Sequence, residues 1–171
     1  MRNYVGTAAI MIMALAGTVA YAADKMPNDA DYSKIELEMK LNVSADDAWK
    51  KFWPSFCQVH INLGRPCKIV KGNGTDIGSD RDPSGSGGIH EVMIAKSKYS
   101  YTYTQTGPNP LYHHSLFEVV PEGPNKSKFV RKLFWERKGT LEADTASLPD
   151  RMKIFTTTFI EQAKLAESAK P

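Results

Sequence analysis

From residue 35 to residue 43 the chain alternates strictly: Ile35, Leu37, Met39, Leu41 and Val43 are apolar, and Glu36, Glu38, Lys40 and Asn42 between them are polar. Side chains on a strand point to opposite faces with period two, so the run predicts a strand buried on one side and wet on the other. Ser44 follows with Asp46 and Asp47 close behind, as in an N-cap and a first helical turn whose dipole favours acids. A short helix is predicted through Ala48, Trp49 and Phe52, stopping near Pro54. A second short helical piece is predicted over residues 55–63, running to the turn Gly64-Arg65-Pro66.

Beyond Cys67 the pattern turns to β for about 70 residues. Strands are predicted over 68–71 and 77–82, split by Gly72-Asn73-Gly74, and over 89–95 and 99–106, joined through Lys96-Ser97. Residues 83–88, of Pro, Ser and Gly, read as a hairpin tip. Gly107-Pro108-Asn109-Pro110 breaks the next connection, 112–120 is a further strand, and residues 121–125 turn into a last strand over 128–136. Ser147 is placed to cap a final helix with Pro149 and Asp150 in its first turn. Leu148, Met152, Phe155, Phe159, Ala163 and Ala166 recur at three- and four-residue steps and form one apolar stripe along it. The fold class is α+β: strand, two short helices, six strands in antiparallel hairpins, one long helix. A seven-stranded antiparallel sheet needs one face covered, and only the last helix is large enough to cover it. A strongly curved sheet wrapped around one helix leaves a space between them, a natural ligand pocket.

The N-terminus sets the compartment. Arg2 supplies a positive n-region, residues 5–19 carry no charge, and Ala20-Tyr21-Ala22 offers small residues at both positions a signal peptidase reads. The uncharged run is about 15 residues, shorter than the roughly 20 a spanning helix needs. Residues 1–22 are therefore read as a cleaved signal peptide, 23–32 as a flexible lead-in and 33–168 as a single domain, exported to the periplasm. Processing removes one positive charge and takes the formal net charge from +3 to +2. The lysines are scattered with no basic run among aromatics, which argues against a nucleic-acid partner. In an oxidising compartment an even cysteine count makes a Cys57–Cys67 disulfide the default, with two free buried thiols the competing reading. Neither C-x-x-C nor C-x-x-C-H is present, so thioredoxin-like and haem chemistry lack their motifs.

Pairing the hairpins from their turns gives a map of the concave face. It sets Met93 opposite Tyr101, Glu91 opposite Tyr103, Tyr103 opposite His113, Ser115 opposite Arg131 and Phe117 opposite Phe129. The ligand-cavity candidates on that face are Glu91, Met93, Tyr99, Tyr101, Tyr103, His113, Phe117, Arg131 and Trp135, with Phe155 and Phe159 facing them from the helix. For the tyrosines the plain reading is an aromatic ladder with its hydroxyls reaching water; the alternative is phenol donors for a ligand. Glu91 and Arg81 read as a cross-strand ion pair. His113 and His114 are adjacent, so on a strand they face opposite ways and cannot chelate one metal together. No metal-ligand spacing, nucleophile elbow or phosphate loop is present, and no cofactor is expected.

Five short pieces in order resemble the START/polyketide-cyclase superfamily, the SRPBCC proteins of helix-grip fold. They are Ser44-Ala45-Asp46-Asp47-Ala48-Trp49, Ile77-Gly78-Ser79-Asp80-Arg81, Ile89-His90-Glu91, Tyr101-Thr102-Tyr103 and Phe117-Glu118-Val119-Val120-Pro121, within a likeness that spans residues 35–165. The sequence departs from that pattern at Arg65-Pro66-Cys67, where the superfamily often has Trp-x-Pro, and at Arg131, where it has a tryptophan. The export signal makes the chain similar to the periplasmic methanol-oxidation accessory proteins of the MxaD type. That resemblance implies a non-enzymatic factor assisting a periplasmic dehydrogenase and its cytochrome c. The alternative is a periplasmic carrier of a small apolar ligand. A cyclase or dehydratase using Glu91, Tyr103, His113 and Arg131 is suggested by the superfamily name alone.

Overall fold

The alternation that opens the chain becomes strand β1, Tyr32–Leu41, with Ile35 and Leu41 buried and Glu36, Glu38 and Lys40 exposed. The computed structural model describes residues 32–107, 114–136 and 141–169. The predicted signal peptide with its cleavage point, the predicted lead-in up to residue 31, and residues 108–113 with His113 among them lie outside these residues. Helix α1, Ala45–Lys50, starts where Ser44 predicts. The Ser44 hydroxyl accepts from the Asp47 amide at 3.1 Å and donates to the Asp47 carboxylate at 2.6 Å, so one orphan amide of the first turn is satisfied.

Helix α2, Gln58–Asn62, is shorter than the predicted 55–63. It starts after Cys57, which is disulfide-bonded to Cys67 with the Cα atoms 5.6 Å apart. Gly64 closes it at φ +66°, while the Gly64 and Arg65 amides donate to the Ile61 and His60 carbonyls at 3.0 and 2.9 Å. A left-handed residue at this position suits glycine because it has no Cβ to clash.

The remaining strands are β2 (Lys68–Lys71), β3 (Asp80–Asp82), β4 (His90–Ser97), β5 (Ser100–Thr106), β6 (His114–Gly123) and β7 (Lys126–Glu136). They form one seven-stranded sheet in the order β1-β7-β6-β5-β4-β3-β2. Each hairpin pairs two residues away from the sequence map. Met93 faces Tyr103 and Glu91 faces Gln105; Tyr101 faces Phe117 and Tyr103 faces Ser115; Phe117 faces Arg131, Ser115 faces Leu133 and Val119 faces Phe129. The β4–β5 turn falls at Lys98-Tyr99, not Lys96-Ser97, and the β6–β7 turn at Pro124-Asn125. Bulges between Met93 and Ala95 and between Pro121 and Gly123 absorb the odd residue. A shift of two keeps every side chain on its face, so the partners change and the concave face does not.

Helix α3, Leu141–Glu167, begins well before Ser147. Residues 141–146 hold good helix formers and no breaker, so the helix extends N-terminally and Ser147 and Pro149 lie inside it instead of at its start. Among the residues whose side chains are described, Phe159, Gln162, Ala163 and Ala166 are buried. Among the described residues no helix is long and apolar enough to cross a membrane.

Aromatic rings fill the grip. Phe159 of α3 stacks on Phe129 of β7 at 4.9 Å, Phe129 lies 5.2 Å from Phe52, and Phe52 meets Phe117 of β6 edge-on at 4.6 Å. Phe117 in turn stacks on Tyr101 of β5 at 5.0 Å. Phe117 lies against the rings of Trp49, Phe52, Tyr101 and Phe129 and is fully buried. Phe117→Ala should therefore lower unfolding free energy by about 3–5 kcal/mol in urea titrations, with the m-value unchanged.

Candidate functional site

Two arginines lie on the concave face among these rings. Arg81 of β3 sits opposite Glu91 of β4 in the ladder and is 1% exposed. Its Nε and Nη2 donate to Glu91 Oε2 at 2.6 and 2.5 Å. Its Nη1 donates to the Phe56 carbonyl, and its guanidinium lies 4.0 Å over the Phe56 ring. Gln105 Nε2 donates to the other Glu91 oxygen at 3.5 Å. A buried guanidinium tolerates such a site because charge and hydrogen-bond capacity are both matched.

Arg131 of β7 is 7% exposed and is satisfied differently. Its Nη1 donates to Gln162 Oε1 at 2.8 Å, and its Nη2 to the Tyr103 hydroxyl at 3.1 Å and the Ser115 hydroxyl at 3.0 Å. These partners are neutral. Among the described residues Arg131 makes no ion pair, and its Nε has no hydrogen-bond partner.

Beside Arg131 a cavity of about 120 Å³ opens between α2, α3 and the sheet. Val59, Leu63, Ile154 and Phe155 give it apolar walls; Tyr103, Arg131, Gln162, Thr158, His60 and Arg65 give it polar ones. Leu63 and Arg65 are shared with a shallower outer groove, where Arg65 is ion-paired with Glu161 of α3. Burial, followed by the charge of Arg81, pushes His60 down to about 4, with Arg65 and Arg131 acting the same way and Glu91 opposing. Its imidazole is therefore neutral at pH 7, and the buried Nδ1 has no partner among the described residues.

Of the sequence-predicted candidates, Tyr103, Arg131 and Phe155 line this cavity. Met93, Tyr101, Phe117 and Phe159 belong to the packed interior, because the rings close on one another. Glu91 is committed to Arg81. Tyr99 lies at the β4–β5 turn and donates to Asp46 at 2.7 Å. The tyrosine hydroxyls of the interior do not reach water: Tyr103 accepts from Arg131, and Tyr101 is buried deeply enough that its ionisation is pushed up. His113 and the Trp135 side chain lie outside what the structure describes. The residues missed are on α2 (Val59, His60), in the segment after it (Leu63, Arg65), and at Ile154, Thr158 and Gln162 of α3. Gln162 alone had a signal, as a polar residue three positions after Phe159 on the apolar stripe. Among the described residues no three His, Cys, Asp or Glu side chains gather as a metal site.

Two outcomes follow from this geometry. Glu91→Gln should cost about 3–5 kcal/mol in urea unfolding because it strands the Arg81 charge, whereas Arg81→Met combined with Glu91→Leu should cost far less. His60 has a folded pKa below its ordinary 6.5, so the unfolded chain takes up the proton first as pH falls. Its contribution is complete above about 6.5 and is lost on the way down to about 4. Thermal unfolding across that window should show a steeper fall in Tm for the wild type than for His60→Asn.

No protein-family model matches the sequence, and neither does any curated protein. Solved structures do share the architecture. A protein from Nitrosospira multiformis superposes at TM-score 0.62 with 15% identity, covering 77% of this chain and 94% of that one. Norcoclaurine synthase from Thalictrum flavum, solved with dopamine and hydroxybenzaldehyde, superposes at 0.60 with 17% identity over 82% of this chain and 89% of its own. Ara h 8.0201 superposes at 0.58 with 17% identity over 80% and 99%. Identities this low establish a common fold and nothing finer. The chain has the helix-grip fold, a seven-stranded antiparallel sheet curved around a C-terminal helix.

Proposed function

We propose that this chain is an exported binding protein that holds a small molecule in the cavity between α2, α3 and the sheet. The supporting observation is the cavity itself: apolar walls with Arg131 and His60 among its polar residues, each carrying a buried ring or guanidinium nitrogen without a partner among the described residues. Its volume, about 120 Å³, is near that of cavities that take up benzene, so the ligand has about six non-hydrogen atoms. Among the described residues the interior rings pack directly against one another. Export follows from the signal-peptide pattern and is consistent with the Cys57–Cys67 disulfide.

A second reading draws on the resemblance to the methanol-oxidation accessory proteins. In that reading the exported domain assists a periplasmic dehydrogenase and its cytochrome c through its outer surface. The observation favouring it is the same filled interior, since a grip closed on its own side chains suits a partner better than a bulky cargo.

Native mass spectrometry of freshly purified protein separates the two. Binding predicts a small adduct on the wild type that disappears in Thr158→Phe, a substitution that fills the cavity from α3. A wild type without adduct, together with co-purification of a dehydrogenase or cytochrome, would favour the accessory reading instead.

A further inference from the structure

We propose that the molecule held in this cavity is a short-chain monocarboxylate, recognised by the Arg131 guanidinium. The inference rests on the binding reading above and adds the charge of the ligand. Glu91 neutralises Arg81 and Glu161 neutralises Arg65, but no described carboxylate pairs with Arg131. A guanidinium this deeply buried, with only neutral partners among the described residues, loses hydration that those partners do not fully replace. An anion in the adjoining cavity would restore the balance and give the unpartnered Nε an acceptor.

The rest of the lining selects among anions. Gln162, Tyr103 and Ser115 take three of the five N–H groups of Arg131, which leaves the Nε–H and one Nη1–H, and His60 brings a further nitrogen from a different wall. So small a set of donors matches the two oxygens of a carboxylate. It falls short of the needs of phosphate or sulfate, whose oxygens would be left facing Val59, Leu63, Ile154 and Phe155. Those same apolar walls suit a short alkyl tail. The neutral state of His60 at pH 7 fits a site whose fixed positive charge comes from Arg131.

Calorimetric titration of the purified protein with butyrate and with butyramide, its neutral isostere, tests this at pH 7. The expected result is butyrate binding at least about tenfold tighter than butyramide, as a charge-assisted hydrogen bond requires. Arg131→Gln should reduce butyrate to the level of the amide. Equal affinities in the wild type would overturn the carboxylate assignment and leave the binding reading standing. Failure of both probes to bind, with a small adduct still present in native spectra, would overturn it in the same way. Failure of both without any adduct would remove the binding reading as well. The wild-type comparison needs no variant, so it decides the matter even if Arg131→Gln does not fold.

Discussion

Burying a guanidinium among aromatic rings is the constraint around which this domain is organised. Arg81 is acceptable at 1% exposure because Glu91 stands opposite it in the ladder and the Phe56 carbonyl and ring lie against it. That contact does more than neutralise a charge. It ties the segment between α1 and α2 to the far strands of the sheet, and so seats Phe52 and Phe56 in the mouth of the grip. Once they are seated, the stack from Phe159 through Phe129, Phe52 and Phe117 to Tyr101 follows. Among the described residues the interior rings close on one another, and a cavity lies to one side, between α2, α3 and the sheet.

Arg131 lies on the same surface under the opposite condition. Its partners satisfy hydrogen bonds but supply no charge. The two arginines thus mark two kinds of buried cation: one neutralised by a facing carboxylate, and one that no described carboxylate neutralises. The cavity lies next to the second, not the first, and this is why the functional reading centres on Arg131.

Strand periodicity made most of the fold legible. Parity alone assigned Glu91, Met93, Tyr101, Tyr103, Phe117 and Arg131 to one face, and the assignment held although every hairpin partner moved by two. Turn positions were less legible, because bulges at Met93–Ala95 and Pro121–Gly123 have no marker in composition. The Arg81–Glu91 pair was readable because both residues sit on neighbouring strands with short connections. The cavity was not readable in this way. Val59, His60 and Arg65 come from α2 and the segment after it, and where that piece lands on the sheet is set by tertiary packing and the Cys57–Cys67 bridge. No local pattern in the sequence specifies that placement. The interior also proved to be closed by its own rings, which alternation cannot reveal, since a residue facing a ligand and a residue facing another side chain have the same period.

The central claim, that Arg131 is a buried cation awaiting an anion, can be read at the atom concerned. The arginine Nε–H resonances, followed by proton–nitrogen NMR as butyrate is added, report directly on whether that nitrogen gains an acceptor. The account predicts a progressive shift and slowed solvent exchange at Arg131, none at Arg81, and little change at either with butyramide. An Arg131 signal that stays fixed, or that moves equally with acid and amide, would contradict it.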